Sequence, residues 1–152
     1  MKRFLSAACL SVLFVCPHAS AEPAVDLTAF RGKVVIVDFW ASWCVPCRRS
    51  FPWMNRMVEK YSGDGLVIIG VNMDSDPVEA SRFLADFPAS FRIVKDPGGE
   101  LAQEYDVIAM PSSYVFDRSG ALVAKHLGFK VKRQDEYEAV IVETLAANRE
   151  TL

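Results

Sequence analysis

Cys44 and Cys47 lie two residues apart in Trp43-Cys44-Val45-Pro46-Cys47, directly after the apolar run Val34-Val35-Ile36-Val37-Asp38-Phe39-Trp40. Two cysteines at that spacing can close a small ring, and a strand-to-helix junction places them at a helix N-terminus. The positive end of the helix dipole there favours a thiolate on Cys44. The chemistry this predicts is two-electron transfer by thiol–disulfide exchange. It needs no cofactor and no bound metal, because the sulfur atoms carry the electrons.

The other cysteines belong to a different kind of segment. Lys2-Arg3, the apolar stretch Phe4 to Val15, and Ala19-Ser20-Ala21 form the three parts of a secretory signal, with cleavage expected after Ala21. That stretch is about a dozen residues, short of the roughly 20 that span a bilayer, so a cleaved signal is favoured over an anchor. Cys16 follows Val15, where a lipoprotein signal normally has a small residue, which disfavours lipidation. Loss of residues 1–21 from the 152-residue chain leaves 131 residues (22–152), the size of one domain. Cys9, Cys16 and His18 go with the signal, so Cys44, Cys47 and His126 are the cysteines and histidine of the mature domain. A pair that closes so small a loop constrains little of the chain, and its value is chemical rather than structural. Losing Lys2 and Arg3 shifts the formal net charge from −2 to −4, with no basic face for nucleic acid. No repeat or low-complexity tract interrupts the domain.

The elements that must position the dithiol follow from periodicity and punctuation. A buried strand is predicted over Val34–Trp40, then a helix from about Val45 to Tyr61 with Met54, Met57, Val58 and Tyr61 on one face, ended by Gly63-Asp64-Gly65. A second buried strand over Leu66–Val71 precedes a helix over Pro77–Ala85, which starts at Pro77 and turns Ser81, Phe83 and Leu84 toward the core. Arg92–Lys95 reads as a further strand, Asp96-Pro97-Gly98-Gly99 as a turn and Glu100–Tyr105 as a helix. Ser113–Phe116 and Ala121–Leu127 form a hairpin across Asp117-Arg118-Ser119-Gly120. A last helix over about Lys132–Asn148 buries Tyr137, Val140, Ile141 and Leu145. Strands alternating with helices and ending in a hairpin predict an α/β fold, a central mixed β-sheet with helices on both faces.

Val37-Asp38-Phe39-Trp40-Ala41-Ser42-Trp43-Cys44-Val45-Pro46-Cys47 resembles the active-site segment of the thioredoxin superfamily. Pro52, five residues after Cys47, matches the proline within the thioredoxin active-site helix. Ala109-Met110-Pro111-Ser112-Ser113 followed by Tyr114-Val115-Phe116-Asp117 resembles the cis-proline segment. The signal and the extra helix and strand around Pro77–Lys95 are similar to the TlpA/ResA-like periplasmic thioredoxins. The resemblance implies a thioredoxin fold from about Leu27 onward with a helix-strand insertion at 77–95. It also implies that Cys44 is the exposed nucleophile, that buried Cys47 resolves the mixed disulfide, and that Asp38, six residues before Cys44, is the base for Cys47 with a pKa raised by burial. Two departures stand out: many TlpA/ResA-like proteins carry Asn at the Asp38 position, and the lysine that thioredoxins carry on the next strand is Gly70 here. A cis Met110–Pro111 bond would present the Met110 backbone to an extended substrate segment, with Trp43, Val45 and Pro46 on the substrate-facing rim and Trp40 in the core.

Val45-Pro46 offers no histidinium to stabilise the reduced thiolate, which favours a reductant over an oxidant. Arg48 and Arg49 would stabilise that thiolate, although a solvated helix face is their ordinary role; Met54 and Met57 read as core filling. The resemblance implies a periplasmic thiol:disulfide oxidoreductase, a monomer, that reduces protein disulfides, apocytochrome c among them. Its electrons would come from a membrane thiol transporter of the DsbD/CcdA type. Two alternatives remain open: a DsbA-like disulfide oxidant, and a copper-binding module using Cys44, Cys47 and His126, since thiolates with imidazole suit Cu(I).

Overall fold

A computed structural model describes residues 25–147; the expected signal segment 1–21, with Cys9, Cys16 and His18, lies outside the described residues. The core strand β1, Val34–Trp40, is buried along its whole length. It pairs in parallel with β2 (Leu66–Asn72), which pairs in parallel with β3 (Arg92–Lys95). On its other side β1 runs antiparallel to β4 (Ser112–Phe116), and β4 pairs antiparallel with β5 (Leu122–Leu127). The sheet order is therefore β3-β2-β1-β4-β5, with β1 at the centre. A strand covered on both faces must be apolar at successive positions, which explains the near-continuous run in β1 and makes its one carboxylate conspicuous.

The period-2 alternation of β1 divides the core in two. Val34, Ile36 and Trp40 pack with α1 (Cys47–Tyr61), α2 (Pro77–Asp86) and α4 (Gln134–Ala147) on one face. Val35, Val37 and Phe39 pack on the other with Leu101 of α3 (Glu100–Glu104) and with the 3₁₀ turn Leu27–Phe30. Among the described residues this is the thioredoxin arrangement that the resemblance implies, with α2 and β3 as the additional helix and strand.

Helix boundaries follow local chemistry. α1 begins at Cys47 rather than Val45, because residues 45–46 form the turn that feeds it, and it holds Pro52 within its length. It gives way to a 3₁₀ turn, Ser62–Asp64, and then to Gly65, whose φ of 98° is a left-handed conformation that glycine adopts without strain. α2 starts where Asp76 accepts a hydrogen bond from the Val78 amide at 2.8 Å, with Pro77 in the first turn. Its buried residues are Ala80 and Phe83; Ser81, expected to face the core, is exposed and donates its hydroxyl to the Pro77 carbonyl at 2.8 Å. A hydroxyl that can be satisfied within its own helix gains nothing from burial, and alanine takes the inner position. α3 stops at Glu104, with Tyr105 as its cap. The last helix opens as a 3₁₀ turn, Val131–Arg133, before α4. In α4, Tyr137, Ile141, Thr144 and Leu145 are buried while Val140 is only partly so; the Thr144 hydroxyl donates to the Val140 carbonyl at 2.6 Å, which permits its burial.

Candidate active site

Cys44 and Cys47 are joined as a disulfide, with Cα atoms 5.3 Å apart. β1 delivers the chain into a turn in which the Cys44 amide donates to the Ala41 carbonyl at 3.1 Å, and α1 then starts at Cys47. The Cys47 amide donates to the Cys44 carbonyl at 3.1 Å and reaches Cys44 Sγ at 3.3 Å. An amide at a helix N-terminus that a carbonyl and a sulfur share favours negative charge on that sulfur, here Cys44 Sγ.

Exposure departs from expectation at Cys44. The residue is only 3% exposed and Cys47 is fully buried, whereas Trp43 is 66% exposed. The Cys44 sulfur is bonded to a fully buried partner, and the side chains open to solvent are those on either side, Trp43 and Val45. Arg48 and Arg49 are exposed at the start of α1, Trp40 packs in the core at 4.9 Å from the Phe51 ring, and Met54 and Met57 are buried. Trp43 and Arg48 also line an open groove of about 380 Å³ whose far wall is Glu79, Arg82 and Phe87 of the α2 segment.

The peptide bond between Met110 and Pro111 is cis. Pro111 is buried, its carbonyl accepts from the Gly128 amide at 2.7 Å, and Met110 packs against the cluster that contains Cys44 and Cys47. Ile108, two residues earlier, is 79% exposed and was not singled out by its sequence context.

Asp38 is fully buried on the β1 face shared with Ile36 and Trp40, the cluster to which Cys47 belongs. Its Oδ1 accepts a hydrogen bond from the Ser113 hydroxyl on β4 at 2.5 Å, and its Oδ2 is sealed with no partner among the described residues. Burial pushes the carboxyl up to about 7 against the opposing pull of the Ser113 hydrogen bond. On the β2 side the cross-strand residue is Gly70. A Cβ there would lie 2.9 Å from Ile93 Cδ1, 3.1 Å from Phe91 Cε2 and 3.1 Å from Trp40 Nε1, so a side chain on that flank of Asp38 would require these neighbours to shift.

Two positioning residues escaped the sequence reading. Asp74, almost fully buried just beyond β2, accepts hydrogen bonds from the Ser42 amide at 2.9 Å, the Ser42 hydroxyl at 2.9 Å and Asn72 Nδ2 at 2.8 Å. It anchors the loop that carries Trp43 and Cys44. The signal available was a polar Asn72-x-Asp74 pair closing an apolar strand. Ser113 had no comparable signal, because its partner is 75 residues away.

His126 does not join the dithiol. Among the described residues no group of three or more His, Cys, Asp or Glu side chains is placed to hold a metal ion, so the Cys44, Cys47 and His126 set expected for copper is not assembled. His126 sits opposite Ser113 on the edge strand β5, with its ring 4.9 Å from that of Tyr137. Burial, with a smaller contribution from the Arg133 charge, holds the imidazole below its usual pKa.

The Redoxin family model matches residues 14–141 of the chain. The thiol-disulfide oxidoreductase ResA of Bacillus thuringiensis subsp. konkukian is 33% identical over 114 residues, 74% of this chain and 66% of that protein. The thiol:disulfide interchange protein HelX of Rhodobacter capsulatus is 33% identical over 113 residues, 74% of this chain and 62% of that protein. The chain thus spans just under two thirds of the length of these relatives. Among solved structures, one described as a thiol:disulfide interchange protein DsbE from Chlorobium tepidum superposes with a TM-score of 0.78 at 43% identity, covering 80% of this chain and 86% of that one.

Proposed function

The chain belongs to the Redoxin family, and we propose that it is a thiol:disulfide oxidoreductase that reduces protein disulfides outside the cytoplasm. The observation that carries this reading is the Cys44–Cys47 pair at the head of α1, with the Cys47 amide directed at Cys44 Sγ. In the reduced protein the Cys44 thiolate attacks one sulfur of a client disulfide, forming a mixed disulfide and releasing the other client sulfur as thiolate. Cys47 gives its proton to Asp38 and attacks Cys44 Sγ, which frees the second client sulfur and restores the Cys44–Cys47 bond. Two electrons pass to the client and two thiols leave as product. A carboxyl with a pKa of about 7 is matched to accepting a thiol proton near neutral pH. The rim formed by Trp43, Val45, Pro46, Met110 and Pro111 is the client-facing surface. Residues 1–21 are a cleaved export signal and 22–152 one thioredoxin-like domain acting as a monomer in the periplasm. Apocytochrome c disulfides are the client class that the family resemblance favours, with a membrane thiol transporter of the DsbD/CcdA type regenerating the dithiol.

The reduction potential of the Cys44/Cys47 couple tests the direction. A value near about −270 mV, as in thioredoxin, supports a reductant; a value near about −120 mV, as in strong oxidants, overturns it. Trapping of a mixed disulfide on Cys44 in the Cys47→Ser variant tests the assignment of attacking and resolving sulfurs.

A further inference from the structure

Asp38 needs a route for its proton. It is fully buried, one carboxylate oxygen has no partner among the described residues, and on its β2 side the space a side chain would occupy at Gly70 is crowded by Ile93, Phe91 and Trp40. The polar exit lies the other way. Asp38, Ser113 and His126 are direct cross-strand partners on β1, β4 and β5, and directly opposed residues of antiparallel strands present their side chains on the same face. Ser113 Oγ holds Asp38 Oδ1. Ser113 and His126 line a common small pocket with Trp53, Phe129 and Tyr137, whose volume of about 20 Å³ has room for about one water molecule. His126 Nε2 is sealed from solvent and has no partner among the described residues, although the residue as a whole is partly exposed on the edge strand.

From this geometry we infer that Ser113 and His126 form a proton relay linking Asp38 to solvent across the sheet. The inference rests on the reading of Asp38 as the base for Cys47. When Cys47 gives its proton to Asp38, the Asp38 carboxylic acid donates to Ser113 Oγ. Ser113 passes its own hydroxyl proton through a pocket water to His126 Nε2, and the imidazole releases a proton from Nδ1 to solvent. One proton travels from the Cys47 sulfur to bulk water and no electrons move along the column. The groups facing His126, Ser113 of β4, the Tyr137 ring of α4 and Arg133 in the turn before α4, agree with an acceptor role. Burial and, to a smaller extent, the Arg133 charge disfavour the imidazolium, so His126 is neutral and able to accept near pH 7. Ser113 and His126 here are positioning and relay residues that act through Asp38.

The test is stopped-flow reaction of the reduced protein with 5,5′-dithiobis(2-nitrobenzoate), in which Cys44 attack releases one coloured thiolate and Cys47 resolution releases a second. His126→Gly and His126→Phe leave the first phase unchanged and slow the second about tenfold at pH 7–8, less than the roughly 10²–10⁴-fold of a group that exchanges the proton directly, because His126 acts through Asp38. Added imidazole restores the second phase in His126→Gly but not in His126→Phe, whose ring fills the site. The wild-type advantage shrinks toward unity as pH falls and His126 becomes protonated. An unchanged second phase in both variants, or a slow one that imidazole does not restore in His126→Gly, overturns the relay. Asp38→Asn separates the two readings: if it slows the second phase while the His126 variants do not, the relay alone fails, and if its second phase is normal, the assigned base fails and the relay with it.

Discussion

Asp38→Asn has a stability consequence whose sign and size follow from the burial of the carboxyl. The group has an ordinary pKa of 3.8 and one of about 7 in the fold. Well below pH 3.8 both folded and unfolded chains hold the proton, and the native contribution of Asp38 is fully present. As pH rises the unfolded chain releases the proton first, so the fold progressively loses that contribution until the native carboxyl has also ionised above about pH 7. A gap of about three pH units at about 1.4 kcal/mol each corresponds to a loss of roughly 4 kcal/mol. Asparagine cannot ionise. It can still accept from the Ser113 hydroxyl, but its amide hydrogens enter the place where Oδ2 is sealed with no partner among the described residues, at a pH-independent cost of about 1–3 kcal/mol. The oxidised variant is therefore less stable than the parent at pH 4 and gains on it steadily, by roughly 4 kcal/mol, up to pH 8. Urea unfolding of both oxidised proteins at pH 4, 5, 6, 7 and 8 measures the difference. A difference that stays flat across that range would mean Asp38 ionises normally in the fold, and the reasoning from burial would be wrong.

Three further substitutions probe the supports of the site. Asp74→Ala removes the acceptor for Ser42 and Asn72 and lowers unfolding stability by about 2–3 kcal/mol in urea unfolding; stability unchanged within error would show the loop is held by other means. Gly70→Ala forces a methyl group against Ile93, Phe91 and Trp40 and destabilises by about 1–3 kcal/mol in the same urea assay, and a neutral result would show that these side chains move aside freely. Trp43→Ala leaves stability within about 0.5 kcal/mol, because the side chain is exposed, while slowing reduction of a protein disulfide more than reduction of a small one; equal rates on the protein substrate would remove Trp43 from the client-facing rim.

What the sequence determined by itself is local. The buried strand with a lone aspartate, the Cys-x-x-Cys pair at the entry to a helix, the proline that opens α2, and the Gly65 stop after α1 all follow from spacing and conformational preference within a few residues. Such patterns place elements to within a residue or two. They did not decide which of two neighbouring residues turns inward, and Ser81 against Ala80 went the other way. Tertiary structure decided everything that depends on strands meeting. Ser113 reaches Asp38 from 75 residues on, Asp74 reaches Ser42 across 32, and His126 lies opposite Ser113 instead of beside the dithiol. Cys44, expected to be exposed, is buried beside Cys47, to which it is bonded. The physical reason is one of range: a strand records in its own residues which face is buried, but the register that brings a hydroxyl opposite a carboxylate is set by pairing with chain that is distant in sequence.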